Sequence, residues 1–286
     1  MCIMSCMQTE LVVVGGGTMG AGIATSFLAA GRAVRLVESA PEFVEAAAGR
    51  VRDSLERMAR KNEHLHVGEV MERLELATGH DGDNDAVIAV IEAVPEDLEL
   101  KRRLFEGWEP SYPADALLAS NTSSLPIAQI TGGLQHPERG IGMHFFNPVP
   151  VSSLVELVVA DHTSDAALER ARALAESLDK TPIVVRDSPG FASSRLGLVL
   201  GLEAIRMLED GVASAEDIDT AMQLGYKHPM GPLRLTDLVG LDVRLAIAEH
   251  LASELGPRFE PPALLRQMVA DGNLGKKTGR GFHEWT

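Results

Sequence analysis

Cysteine, aromatic side chains and positive charge are all scarce in this chain. It has 2 Cys, 2 Trp, 2 Tyr and 8 Phe in 286 residues, and 26 Lys plus Arg against 41 Asp plus Glu. The resulting formal charge of −15 argues against general binding to nucleic acid or to an anionic membrane, since both need a basic surface. An anionic ligand would have to be met by a local basic patch or by helix N-termini. Cys2 and Cys6 stand four apart before the first regular element, with no His or further Cys beside them. That spacing reads as a tail with reduced thiols, not as a metal or redox site, and it points to a reducing cytoplasm. No run of 18 apolar residues occurs, so no membrane span is expected. The first residues lack a basic stretch followed by an apolar one, so no secretory signal is expected. His64, His66, His80, His136, His162, His228, His250 and His283 are scattered without metal-ligand spacing, and no metal is expected. Internal repeats and low-complexity tracts are lacking too.

What is present is ordinary globular material, 45% hydrophobic and 23% charged, with enough chain for one large domain or two moderate ones. "LVVVGGGTMGAGIATSFLAAGRAVRLVES" reads as strand, glycine turn, helix and second strand: Leu11 to Val14, Met19 to Ala30 ended by Gly31, and Ala33 to Val37. A charged amphipathic helix from Pro41 to about Arg60 follows, and "HVGEVMERLEL" predicts another. Strands are expected at Ala86–Ile91 and Leu117–Ala119, with the helix "PEDLELKRRLFEGW" between them. "GIGMHFF" and "LVELVVA" continue the alternation; "DAALERARALAESLD" and "TPIVVRD" add a helix and a last strand. Such alternation predicts an α/β, Rossmann-type, doubly wound and mainly parallel sheet. The pattern changes at "DSPGF". From Ser194 onward helical segments dominate, including "SRLGLVLGLEAIRMLEDG", "LTDLVGLDVRLAIAEHLASEL" and "ALLRQMVADG". The expected division is therefore a Rossmann domain over 1–187 and an all-α domain over 188–286. The helix from Arg195 to Leu208 is too apolar for a solvent face and is expected to pack at an interface.

Gly15-x-Gly17-x-x-Gly20 would mean little alone. Here it follows an apolar strand and opens a helix, the context in which a pyrophosphate rests on a helix N-terminus. Gly15, Gly17, Thr18, Met19 and Gly20 are thus the expected cofactor turn. Glu38 ends the second strand, where a carboxylate accepts hydrogen bonds from ribose hydroxyls and repels a 2′-phosphate, so NAD is expected over NADP. Arg32 and Arg35 nearby are the residues that would argue for NADP.

"MHFFNPVPVSSLVEL" raises the sharper question. His144 sits beside two phenylalanines, and Glu156 follows twelve residues later. Two strand-end residues at that separation can meet across a turn, and "NPVPV" has the prolines for one. A lone His in such a place reads equally as a packed or surface imidazole. Ser123 in "SNTSS" reads either as a polar site residue or as an N-cap ahead of "LPIAQI". Asp187 and Asp237 read as structural.

Taken in order, "GGGTMGAGIA", "IEAVPEDLELKRRLF", "SNTSSL", "MHFFNPVPVSSLVELV", "DSPGF", "EDIDTAMQLGYKHPMGP", "DLVGLD" and "GKKTGRGFHEW" resemble the L-3-hydroxyacyl-CoA dehydrogenase family, which includes bacterial 3-hydroxybutyryl-CoA dehydrogenases. The resemblance runs from Leu11 to Trp285. It implies NAD-dependent oxidation of a 3-hydroxyacyl thioester, with short-chain acyl-CoA the first expectation. His144 is then the general base and Glu156 the acid that orients it. Ser123 would hydrogen-bond the substrate oxygen, and Asn147 would serve the nicotinamide side. Glu96 and Lys101 match positions near the nicotinamide ribose, and Lys277 matches a lysine that reaches the cofactor in a closed state. Arg57, Arg60 and Lys61 end a helix where relatives meet the CoA nucleotide. Apart from the resemblance, the apolar helices of the second domain exceed what about 100 residues can hide alone, so a homodimer through that domain is expected.

One departure bears on substrate. Where the family has asparagine after "PGF" and two residues, this chain has Ser194, a shorter hydrogen-bonding group near the substrate carbonyl. That keeps three other readings in view. One is a hydroxyacyl-carrier-protein dehydrogenase of polyketide supply, acting for example on a glyceryl group; its acidic carrier would meet the same basic patch. The others are a free hydroxy-acid dehydrogenase and an NAD-binding protein without turnover, as in crystallin-like relatives.

Overall fold

Strands that are buried at every position are covered on both faces, and four strands here are of that kind. The computed structural model describes residues 8–79 and 84–285; Cys2, Cys6 and His80 lie outside them. The chain forms two compact units, Met1–Ser188 and Pro189–Thr286.

In the first unit, β1 (Leu11–Val14) leads into α1 (Thr18–Ala29) and β2 (Val34–Val37). Next come α2 (Pro41–Ala59), α3 (Val67–Met71), β3 (Leu74–Ala77), β4 (Ala89–Glu92), α4 (Leu98–Trp108) and β5 (Leu117–Ser120). The unit is completed by α5 (Ile127–Thr131), β6 (Gly140–Phe145), β7 (Leu154–Val159), α6 (Asp165–Glu176) and β8 (Thr181–Arg186). One eight-stranded sheet runs β3-β2-β1-β4-β5-β6-β7-β8. Every neighbouring pair is parallel except β6 with β7. The exception follows from chain length, because the link from Phe146 to Ser153 is too short for a parallel crossover. β1, β2, β4 and β5 are buried throughout, and Phe27, Leu36, Val51, Ile91, Leu117 and Leu157 belong to one apolar core. The fold is the expected Rossmann-type, mainly parallel sheet.

The helix expected through "HVGEVMERLEL" does not continue. It stops at Met71, and Leu74–Ala77 form β3, parallel to β2. The outer edge of β2 needs partners for its backbone polar groups. The Leu-Glu-Leu alternation supplies a short strand, anchored as Glu75 pairs with buried Arg35 at 2.9 Å.

The second unit contains α7 (Ser193–Glu209), α8 (Ala215–Thr220), α9 (Pro232–Val239), α10 (Leu241–Leu255) and α11 (Ala263–Ala270). "LTDLVGLDVRLAIAEHLASEL" was expected as one helical stretch and is two helices. Gly240, at φ +103°, takes a conformation that no α-helix accepts and that side-chain-bearing residues avoid. Leu198, Leu202, Ile205, Leu233, Leu241, Leu251 and Phe259 form this unit's core. Buried carboxylates tie down its C-terminal segment. Asp237 accepts from the backbone N–H of Phe282 and His283, both at 2.8 Å, and from Trp285 Nε1 at 2.9 Å. Asp219 accepts from the N–H of Leu233 and Arg234 at the start of α9 and lies 2.8 Å from His283 Nε2. Asp237 is structural, as its place in the sequence suggested. Asp187 is too, its Oδ2 accepting from the N–H of Ala128 at 2.7 Å in the first unit.

Among the described residues no helix is long and apolar enough to cross a membrane. Nor do the described residues include a group of three or more His, Cys, Asp or Glu arranged to hold a metal ion.

Candidate active site

Antiparallel pairing sets His144 directly opposite Glu156, so both side chains leave the same face of the sheet. His144 Nδ1 lies 2.7 Å from Glu156 Oε2. Glu156 is wholly buried and His144 is 7% exposed. A buried carboxylate is costly unless it is hydrogen-bonded and paired, and the imidazole meets that need. The carboxylate also fixes a proton on Nδ1, which puts the basic lone pair on Nε2. The ring of Phe146 stands 4.4 Å from the imidazole, tilted by 47°, and limits the orientations it can take. Phe145 is in the core. Lys180 holds the loop between β6 and β7 from below, its buried ammonium donating to the carbonyls of Val149 and Ser152, both at 2.6 Å. Burial pushes its pKa down.

The loop after β5 forms the second wall. Glu96 Oε1 accepts from Thr122 Oγ1 at 2.6 Å, from the backbone N–H of Ser123 and Ser124 at 3.1 and 3.2 Å, and from Ser124 Oγ at 3.0 Å. Partial burial pushes the Glu96 carboxyl up. The Thr122 hydroxyl, the Lys101 ammonium and the Ser124 and Ser123 donors outweigh that and hold it below the ordinary carboxylate range. Asn121 Oδ1 accepts from the N–H of Phe145 at 2.9 Å and fastens this loop to the strand that carries His144. Ser123 is not a helix cap. The helix that follows it starts only at Ile127, after Pro126, because a proline-led turn intervenes and Glu96 takes the serine loop.

Lys101 is 1% exposed and does not reach the cleft wall itself. Its Nζ lies 2.6 Å from Glu92 and 3.3 Å from Glu96. Glu92 accepts further from Ser120 Oγ at 2.6 Å and from the N–H of Val94 at 2.7 Å. Lys101 therefore acts on the cleft through Glu96. Sequence reasoning missed Glu92, Asn121, Thr122 and Lys180. Asn121 and Thr122 directly precede Ser123 in the polar run "SNTSS", a legible signal. Glu92 and Lys180 carried none.

Met19, Val94, Glu96, Asn121, Ser123, His144, Phe146 and Asn147 line a cleft of about 360 Å³ at the C-terminal ends of the central strands, where open α/β sheets bind ligands. A larger hollow of about 550 Å³, lined by Arg32, Ile88, Pro113, Asp115 and Arg170 among others, lies at the opposite, N-terminal ends. It has no comparable acid-base pair, and chemistry outweighs size here.

The glycine turn opens beside Met19. Gly15 is at φ +89°, and a Cβ on Gly20 would lie 1.7 Å from the Gly15 carbonyl oxygen, so only glycine permits the turn to close this tightly. α1 has no side-chain cap at its N-terminus and no acidic residue in its first turn. Its first N–H groups thus point to where a phosphate would sit, and open space lies over Gly17. Glu38 Oε1 accepts from the N–H of Gly16 at 2.8 Å, which puts a carboxylate at the tip of β2. Arg32 pairs with Glu10 at 2.8 Å, and Arg35 is engaged with Glu75 and Asn84. Neither is available to hold a 2′-phosphate, and the site fits NAD.

Other expected residues lie elsewhere. Arg57 and Lys61, at the end of α2, are exposed and outside the cleft lining. Ser194 is half-buried in the first turn of α7, in the second unit. Lys277, also in that unit, donates to both oxygens of Asp242 at 2.6 Å. That contact pulls the Asp242 carboxyl below its ordinary value, and burial opposes it.

A buried His-Glu pair beside a dinucleotide turn defines an NAD-linked acid-base site. Residues 10–188 match the model of the 3-hydroxyacyl-CoA dehydrogenase NAD binding domain, and residues 190–285 that of the 3-hydroxyacyl-CoA dehydrogenase C-terminal domain. The chain belongs to the 3-hydroxyacyl-CoA dehydrogenase family. It is 43% identical over 279 residues to a probable 3-hydroxybutyryl-CoA dehydrogenase of Bacillus subtilis, covering 96% of this chain and 97% of that one. It is 38% identical over 285 residues to the human mitochondrial hydroxyacyl-coenzyme A dehydrogenase, covering 96% and 91%. The crystal structure of FadB2 from M. tuberculosis superposes with a TM-score of 0.91 at 41% identity, over 97% of this chain and 99% of that one.

Proposed function

We propose that this protein oxidises the 3-hydroxyl of a short-chain 3-hydroxyacyl-CoA to a ketone, with NAD as the hydride acceptor. The observation that carries this is the 2.7 Å contact between His144 and buried Glu156 beside a turn that fits NAD. Bound NAD would supply the acceptor for the C3 hydride; His144 Nε2 takes the hydroxyl proton and returns it in the reverse direction. Glu156 keeps its charge, holds the ring and stabilises the imidazolium. Ser123 donates to the substrate oxygen, and Asn147 orients the nicotinamide side. Glu96, held by Lys101, borders the nicotinamide ribose, and Glu38 takes the adenosine ribose hydroxyls. Lys277, here paired with Asp242, is assigned to the cofactor on the strength of the family resemblance alone. By the family resemblance Ser194 is assigned to the substrate carbonyl, and Arg57 and Lys61 to the phosphates of CoA.

The protein is assigned to a reducing cytoplasm, in keeping with its two cysteines and bacterial relatives. A homodimer is supported by exposed apolar side chains on the second unit: Leu196 and Val199 on α7, Leu238 and Val239 on α9, and Val243 on α10. Steady-state oxidation of NADH with acetoacetyl-CoA tests the activity. Turnover is expected, with kcat lowered about 10²–10⁴-fold in His144→Gln while NADH still binds. NADH binding with no turnover on any acyl thioester would overturn the proposal.

A further inference from the structure

Lys101 has one carboxylate more than its charge requires. Its Nζ lies 2.6 Å from Glu92 and 3.3 Å from Glu96, and it also donates to the carbonyl of Val94 at 3.3 Å. Lys101 and Glu92 are each 1% exposed, so solvent and salt screen them little. A buried carboxylate is costly, and Glu96 alone, which lines the cleft, is counterion enough for one ammonium. Two carboxylates on one ammonium leave a formal charge of −1. The residues that line the cleft include no lysine or arginine to offset it.

Glu92 is placed to give that charge to the cleft from behind its wall. It is the last residue of β4, in register with Val14 of β1 and Ser120 of β5. Val14 leads into the glycine turn and Ser120 into the serine loop. β1 and β4 are also the strands on either side of the point where the strand order reverses, the crevice in which open α/β sheets hold a ligand. Glu92 Oε1 accepts from Lys101 and from the N–H of Val94, and Oε2 accepts from the Ser120 hydroxyl. All three partners donate, and an ionised carboxylate accepts at both oxygens. Of the two forms of the cofactor, oxidised NAD has a cationic nicotinamide ring and NADH a neutral one. Adenosine, pyrophosphate and both riboses are common to them. Negative charge behind the nicotinamide side therefore acts on the difference between the two forms.

We propose that Glu92 is a positioning residue whose charge strengthens binding of oxidised NAD relative to NADH. The protein then loads oxidised cofactor and releases reduced cofactor more readily than it would without that charge. This rests on the dehydrogenase reading above, in which Glu96 borders the nicotinamide ribose.

The test measures Kd for oxidised NAD and for NADH by calorimetric titration of the same protein and takes their ratio, in which contacts to the shared parts cancel. Glu92→Gln keeps the shape and removes the charge. It should raise the ratio of Kd for NAD to Kd for NADH by more than about twofold and up to about tenfold, the range for one unit charge acting in a partly screened cleft. Glu92→Asp keeps the charge, and Ser120→Ala removes a hydrogen bond but no charge. Both should hold the ratio within about twofold of wild type even where both affinities fall. A role in folding alone would weaken the two forms equally in Glu92→Gln. An unmoved ratio there, or an equal rise in Glu92→Asp, would overturn the proposal. Should Glu92→Gln not fold, Glu96→Gln decides in its place, because it takes one carboxylate from the same ammonium on a side chain that is 37% exposed. The ratio must rise in that variant too, and a ratio that stays level sinks the proposal. These measurements are independent of turnover. An unmoved ratio in a protein that reduces acetoacetyl-CoA leaves the dehydrogenase reading standing, whereas a wild type that binds neither form of the cofactor ends both.

Discussion

A histidine held by a buried carboxylate on one ring nitrogen has only its other nitrogen with which to exchange a proton. Glu156 gives His144 that restriction at 2.7 Å, and Phe146 adds a steric one. Glu96 works differently, as a hub that keeps the Ser123 loop in place through five donors on three residues. Its carboxyl is held below the ordinary value, so the ionised form is favoured by folding. That stability is present above the unfolded carboxylate range and is lost as pH falls through the lower folded value. Wild type should therefore outlast Glu96→Gln in urea at pH 7, with the gap in midpoint closing below about pH 4. A gap of the same size at pH 7 and pH 3 would show that charge is not what Glu96 contributes.

At the scale of elements, the turn between β1 and α1 has the least slack. A Cβ on Gly20 would meet the Gly15 carbonyl at 1.7 Å and one on Gly15 would meet that of Ala93 at 2.9 Å, both rigid backbone. Gly20→Ala should therefore widen the turn and move the α1 N–H groups from the pyrophosphate position. NADH affinity measured by fluorescence titration is expected to fall at least about tenfold, the cost of roughly one or two charge-assisted hydrogen bonds. Unchanged affinity would mean that the turn does not carry the phosphates. The β6–β7 hairpin is the other critical element. Its antiparallel register sets His144 against Glu156, and a slip of one residue in either strand would turn that strand's side chain to the opposite face and part the pair.

For the whole molecule, the net charge of −15 keeps copies soluble but does not prevent a local apolar contact between them. Leu196 and Leu224 are 71% and 68% exposed, large apolar side chains on the helical unit with no cover from their own chain. Gel filtration with light scattering should report a dimer, and Leu196→Glu should shift it toward monomer. A monomer at micromolar wild-type concentration would overturn that expectation.

The sequence by itself determined the αβ alternation, the change to helices at "DSPGF" and the glycine turn with Glu38, because these rest on periodicity, punctuation and steric need within short stretches of chain. It also put His144 and Glu156 twelve residues apart with a turn between them. Only the tertiary structure decided that Leu74–Ala77 is a strand, since the open edge of β2 and the Arg35 side chain lie about forty residues away along the chain and leave no local mark. In the same way it separated α9 from α10 at Gly240, buried Lys101 between Glu92 and Glu96, and tied the C-terminal segment to Asp219 and Asp237. Each is a long-range pairing of polar groups that burial would otherwise leave unsatisfied. Arg244 illustrates the difference most plainly: in the sequence it is one arginine on a helix, and only packing shows it buried, its Nε without an acceptor among the described residues.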